Sequence, residues 1–102
     1  MKTGEVVTVV TISGEYVGKL VSDKKGITIE NPRMILSNPQ DGSMGFAKGI
    51  AATGVENPPV ATFHNVVFVV PSNDKVVEAH AISTGEKTAP KIEVPAEKKI
   101  II

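Results

Sequence analysis

Residues 13–36, SGEYVGKLVSDKKGITIENPRMIL, constrain the fold more than any other stretch of the chain. They hold two β-type runs separated by the reversal Asp23, Lys24, Lys25, Gly26, in which the glycine supplies the positive φ that a tight turn needs. In the first run Tyr16, Gly18, Leu20 and Ser22 share one face and Val17, Lys19 and Val21 the other, because side chains alternate along a strand. A glycine in mid-strand gives up packing and backbone order, so Gly18 marks a sharp bend or a close backbone approach; the plainer alternative is a tolerated surface glycine. In the second run Ile27 and Ile29 lie on one face, and Asn31-Pro32 interrupts. Proline cannot donate to a ladder, so residues 27–36 read as one long strand bent at Pro32. A ribbon bent this often must curl, and the rest of the chain reads as what closes it into a small barrel.

Residues 5–12 (EVVTVVTI) are rich in β-branched side chains and show no helical stripe, which predicts a strand joined by a Ser13-Gly14 hairpin to a second strand over 15–22. Aromatics are few (Tyr16, Phe46, Phe63, Phe68) and Val and Ile abundant, a composition suited to a pleated, half-buried surface. Residues 37–45 (SNPQDGSMG) carry loop chemistry throughout. In 46–53 (FAKGIAAT) the small residues suit a helical turn, but Gly45, Gly49 and Gly54 favour a glycine-tolerant strand. A second loop over 54–59 stops at Pro58-Pro59. The run VVFVV, bounded by His64-Asn65 and Pro71, has the length of a fully buried strand. Ser72-Asn73-Asp74 is an N-cap signal, Val76, Val77, His80, Ala81 and Thr84 follow at helical spacing, and Gly85 stands where the helix would stop. The predicted architecture is mainly β: a small barrel of five strongly bent antiparallel strands with a short C-terminal helix over 74–84 packed on one end, forming one domain over 1–85. Residues 86–102 (EKTAPKIEVPAEKKIII), with two prolines and alternating charge, are expected to form an extended, mobile tail. Its Ile100, Ile101 and Ile102 either dock on a neighbouring molecule's strand edge or groove or are a disordered end that happens to be apolar.

At 102 residues the chain can build one small core. Eleven basic and eleven acidic side chains cancel, so any nucleic-acid site must be a local patch rather than a bulk field. The absence of cysteine removes disulfides, thiolate nucleophiles and most structural zinc sites, and fits a reducing cytoplasm. No run approaches the ~18 apolar residues of a membrane span, and the opening MKTGEVV lacks the apolar segment of a leader, so a soluble, unprocessed protein without membrane contact is expected. His64 and His80 are the two side chains that titrate near neutrality, and neither has further ligands at zinc-site spacing. There is no Gly-x-Ser-x-Gly elbow, and Gly42, Gly45 and Gly49 match no phosphate loop. The chain reads as a non-enzyme with no cofactor and no metal.

The stretch VVTVVTISGEYVGKL followed by DKKGITIEN resembles the first motif of Sm-like proteins, the small barrels of the Sm, LSm and Hfq type. Gly14, Gly18, Leu20, Asp23, Ile27, Ile29 and Asn31 fall at or near the motif positions, although the Gly14 to Gly18 spacing is one residue short. ATFHNVVFV, residues 61–69, resembles the second motif, with Thr62-Phe63 where Arg-Gly usually stands. The chain is also similar to small Sm-like proteins of tailed phages, especially marine ones, which end in a VVFVV-type strand and an acidic helix; the match spans roughly residues 5–85. A different alignment sets His80, Ala81, Ile82 and Ser83 against the second Hfq motif, with Glu78-Ala79 replacing its aromatic and lysine and a far longer connection after Asn31. Two departures stand out. The usual N-terminal helix is missing, its place taken by a helix on the C-terminal side, and Lys24-Lys25-Gly26 fills the turn where relatives carry an RNA-contacting Asn.

The resemblance implies a cyclic homo-oligomer in which the fourth strand of one subunit pairs with the fifth of the next, covering otherwise open edges. It also implies a ring that binds RNA or single-stranded DNA, in phage nucleic-acid processing within the host cytoplasm. In such a barrel the turn between the second and third strands meets the turn before the last strand, which places Lys24 and Lys25 beside Phe63, His64 and Asn65. Phe63 or His64 would stack on an unpaired base, Asn65 would bond a base edge, and the lysines would meet phosphates. Repeated around a ring, two lysines per subunit become a positive patch on a neutral chain. The plainer alternative makes the lysines a solvated hairpin tip and Phe63 a core residue. An expectation from a different class is a non-catalytic scaffold or assembly module whose barrel and isoleucine tail bind protein.

Overall fold

Glycine bends and one proline bulge shape a single antiparallel sheet in the computed structural model, which describes residues 1–86. The tail predicted over 86–102, with Ile100, Ile101 and Ile102, lies outside the described residues apart from Glu86. The elements are β1 (Val6–Thr11), β2 (Gly14–Ser22), β3 (Ile27–Ser37), β4 (Met44–Phe46), β5 (Val60–Phe63), β6 (Val66–Pro71) and helix α1 (Asp74–Ser83). The sheet runs in the order β4-β3-β2-β1-β6, and β5 also pairs with β3. The fold is thus mainly β with one short helix, as the sequence predicts. Among the described residues there are six strands rather than five, and no ladder joins β5 to β6.

The long third strand explains the extra one. β3 is long enough to hold two partners end to end: its first half pairs with β5 (Ile27 opposite Phe63, Glu30 opposite Val60) and its last residues with β4 (Ile35 opposite Phe46, Ser37 opposite Met44). The expected loop over 37–45 therefore contains a strand. Asn38 receives the Gly42 amide and donates to the Ser43 carbonyl, each at 2.8 Å, which turns the chain back on itself early. Of the glycine-tolerant strand expected over 46–53, Phe46 alone lies in β4; residues 47–53 form turns and bends, because β3 ends at Ser37 and offers them no ladder, and the loop expected over 54–59 follows.

Between the two halves of β3 the strand bulges. Val17 pairs with Arg33 and Lys19 with Glu30, so Asn31 and Pro32 together oppose Gly18. Asn31 adopts φ 52°, a left-handed conformation that asparagine tolerates better than other side chains, and Pro32 is fully buried. A Cβ on Gly18 would stand 2.8 Å from the Glu30 carbonyl oxygen and 2.9 Å from Ile29 Cδ1. Gly18 is required by close backbone approach and is no surface accident.

Val7, Val9, Tyr16, Leu20 and Ile29 form the core, with Ile27, Met34, Ile50, Phe63, Val66 and Val69 packed around them. Alternation sends Val6 and Val17 to the opposite face, yet both are buried as well. Helix α1 accounts for this. Asn73 caps it by accepting the Val76 amide at 2.9 Å, and Gly85, at φ 84°, follows its last turn. Thr8 and Ser72 hydroxyls bond at 2.7 Å, Lys19 pairs with Glu86, and His80 reaches Asn31, so the helix lies along the outer side of β1, β2 and β3.

The VVFVV strand corrects a second expectation. It is an edge, not a buried strand: Val67, Phe68 and Val70 are 58, 51 and 42% exposed. Among the described residues β6 has a neighbour on one side only, β1, and of its side chains Val66 and Val69 turn toward the core. An unbroken apolar run indicates that both faces are apolar, whereas burial depends on what stands against each face. Among the described residues no helix is long and apolar enough to cross a membrane.

Candidate nucleic-acid interface

Pairing of β3 with β5 brings two turns together at one end of the sheet. Ile27 is opposite Phe63 and Thr28 opposite Thr62, whose hydroxyls bond at 2.8 Å, so the 23–26 turn and the His64-Asn65 turn lie side by side. The approach is close. Gly26 has φ 87°, and a Cβ there would fall 2.7 Å from the Phe63 carbonyl oxygen and 2.9 Å from His64 Nδ1. Glycine is needed at 26 twice over, for the turn and for the contact.

Lys24, Lys25, His64 and Asn65 are all exposed at this end. Phe63 is half-buried, with its ring against Tyr16 at a centroid separation of 4.7 Å and a 42° tilt. Tyr16 is buried and its hydroxyl meets Ser13 Oγ at 3.2 Å. Phe63 thereby ties the turn to the core and holds the backbone under His64, which leaves His64 as the more open ring. A shallow hollow beside it is lined by Thr11, Ser13, Thr62, Phe63, His64 and Asn65, with Ile12 at its lip. Hydroxyls, an amide and an imidazole around an open depression can hydrogen-bond and stack against a planar polar ligand, and two flexible ammonium groups stand ready for its charge.

Comparison with protein-family models, with curated proteins and with solved structures returned no match. The Sm-like resemblance therefore rests on the residues quoted for it.

His80 is the residue whose place the sequence leaves open. It is 0% exposed, on the inner side of α1, and its ring stands 6.5 Å from that of Phe46, edge to face. Its Nε2 lies 2.8 Å from the Asn31 carbonyl, which can only accept, so Nε2 carries the proton and Nδ1 is left buried without a protein partner. Burial pushes its pKa below the usual histidine value, with the nearby Arg33 guanidinium acting in the same direction and the Asn31 hydrogen bond opposing. The neutral imidazole pins the helix to the αL bulge at Asn31. Set against the second Hfq motif, His80 would meet RNA; here it is enclosed within a regular helix and faces no solvent. Its position among Val76, Val77 and Ala81 on the inner stripe is the sequence signal for this role. Among the described residues, no three His, Asp or Glu side chains gather closely enough to hold a metal ion.

Proposed function

We propose that the protein is a non-catalytic Sm-like ring protein that binds RNA or single-stranded DNA at the end of the sheet formed by Lys24, Lys25, His64 and Asn65, with Phe63 as its support. The observation that carries this reading is the seating of Gly26 against the Phe63 carbonyl and the His64 ring, which gathers two cations, an imidazole and an amide. Stacking of a base on a ring contributes ~1–3 kcal/mol without demanding a sequence, and each phosphate met by a lysine adds a salt-dependent term, with a slope of about −0.7 on a single strand. Self-assembly multiplies the site. The outer edges of β5 and β6, unpaired among the described residues, are the surfaces through which subunits would join, and a ring sums the lysines of a neutral chain into one basic face. The setting suggested by the resemblance is phage nucleic-acid processing in the host cytoplasm.

Fluorescence anisotropy with short U-rich RNA, A-rich RNA and single-stranded DNA at low salt tests the site. Lys24→Ala/Lys25→Ala is expected to weaken binding at least tenfold and flatten the salt dependence, and His64→Ala to weaken it without changing the salt slope. Lack of binding by the wild type, or unchanged binding by the double variant, overturns the assignment.

A second reading, a protein-binding assembly module, is favoured by the exposed apolar side chains of β6, Val67, Phe68 and Val70. Light scattering on the eluting protein separates the two. A strict monomer near 10.7 kDa removes the ring. An oligomer that carries no nucleic acid, binds none, and is dispersed by Phe68→Lys supports the assembly module.

A further inference from the structure

A second apolar surface lies away from this interface. The β3–β4 ribbon and the first half of α1 enclose a groove of about 230 Å³, floored by Ile35 and Phe46, flanked by Met44 and Gly45, and walled on the helix side by Val76 and Ala79. A dry apolar cavity of ~150 Å³ holds a benzene molecule, so this groove has room for a branched aliphatic side chain and part of another. Met44 is 65% exposed at its edge. The cation that lines it, Lys75, makes no ion pair among the described residues. The groove thus offers apolar walls, a flexible methionine to close over an occupant, and an ammonium group for an acidic flank.

The chain contains a segment of matching chemistry beyond the described residues. Ile100, Ile101 and Ile102 are three consecutive branched aliphatic residues, and Glu97 precedes them by three positions. We propose that these isoleucines dock in the groove between β4 and α1 of their own chain, with the Glu97 carboxylate beside Lys75. Reach is sufficient. Residues 87–99 span up to about 43 Å when extended, while the helix from Lys75 to Glu86 rises only about 16 Å, so the segment can return along α1 to its first turn. Glu86, where the segment leaves, is held by Lys19 on β2 and therefore starts from a fixed point on the same side of the sheet as the helix. Tethering makes a small contact sufficient, because a covalently linked partner binds at an effective concentration set by the length of the link rather than by the bulk. Lys98 and Lys99 lie between Glu97 and the isoleucines, and the exposed Asp74 at the start of α1 is the acceptor for them. Occupied in this way, the groove covers Met44, Phe46 and Val76 and ties the end of the segment to the helix that His80 holds on the bulge.

The absence of cysteine allows a clean test on the full chain. A single Ala96→Cys substitution carries a nitroxide, and methyl NMR reads the paramagnetic broadening of Met44, Val76, Ile35 and Ala79. Docking predicts that the Met44 and Val76 methyl signals lose more than half their intensity relative to the reduced label, and that the loss is independent of protein concentration. Ala79→Glu, an exposed helical position, places a carboxylate in the groove and should restore the signals. Replacing Ile100, Ile101 and Ile102 together by serine should restore them as well. Broadening that is absent from the groove, unchanged by either substitution, or centred instead on Val67, Phe68 and Val70 overturns the proposal. So does equal broadening when isotope-labelled chains without the nitroxide are mixed with spin-labelled chains, since the occupant is then a second copy.

Discussion

Gly18→Ala tests the bulge on which the sheet turns. The added methyl would stand 2.8 Å from the Glu30 carbonyl oxygen, 2.9 Å from Ile29 Cδ1 and 3.0 Å from Ile29 Cβ. Carbon contacts are relaxed at about 3.5–4.0 Å, so β2 and β3 must separate by roughly half an ångström or more at the point where they are most tightly joined. One obstacle is a backbone oxygen and another a Cβ of a fully buried residue, and neither can rotate away. Overpacking of this kind costs about 1–3 kcal/mol, and the rigid neighbours put Gly18 in the upper half of that range. Loss of glycine's freedom in the unfolded chain offsets about 0.4–1 kcal/mol, leaving a net destabilisation of about 2 kcal/mol. In a domain of this size that lowers the melting temperature by about 8–16 °C. Urea denaturation followed by circular dichroism, with thermal scans alongside, gives both numbers. Gly45→Ala, where a Cβ meets nothing within 4 Å, is the control and should stay within about 0.5 kcal/mol of wild type. Ile29→Val removes the Cδ1 contact and alone costs about 0.5–1.5 kcal/mol; in the Gly18→Ala background it should cost at least about 0.5 kcal/mol less. A Gly18→Ala protein as stable as wild type would show that the close approach of the two strands is not what demands glycine, and the account of the bulge would fail.

Stability should also depend on pH through His80. Its folded pKa is depressed by burial, so the unfolded chain takes up a proton first; stability is full above about 6.5 and declines as the pH falls from there toward the folded value. His80→Gln, which keeps a donor for the Asn31 carbonyl but does not titrate, should remove most of that decline in urea denaturation measured between neutral and mildly acidic pH, and an unchanged slope would assign it to other groups. Asn73→Ala removes the cap on the Val76 amide and should destabilise the protein by about 1 kcal/mol, whereas Asn73→Ser should restore most of the loss. An Asn73→Ala protein with wild-type stability would mean that α1 is held by its packing on the sheet alone.

The features legible in the sequence are those decided over a few neighbouring residues. Gly26 at a positive φ, the Asn31-Pro32 interruption, the Asn73 cap and the Gly85 stop each follow from what one backbone position tolerates. Gly18 belongs with them, since a strand interior excludes glycine unless another backbone comes close. The proposed interface was legible in part. Lys24-Lys25 and His64-Asn65 read as two polar turns, but their meeting depends on Ile27 pairing with Phe63, a contact between segments 36 residues apart.

By itself, then, the sequence determined a bent, mainly antiparallel sheet, the position of its sharpest bends and the extent of its one helix. Tertiary structure alone decided how those pieces are shared out. It gave β3 two partners, so a strand formed inside an expected loop, and it set β5 and β6 on different neighbours although only His64 and Asn65 separate them. Among the described residues it left β6 with one neighbour and three of its apolar side chains exposed, and it buried His80 because α1 lies over the Asn31 bulge. The reason is common to all of these. Local sequence sets the conformation of a segment and the polarity of its faces, but burial and pairing depend on which other segments arrive beside it, and those are chosen by the packing of the whole chain.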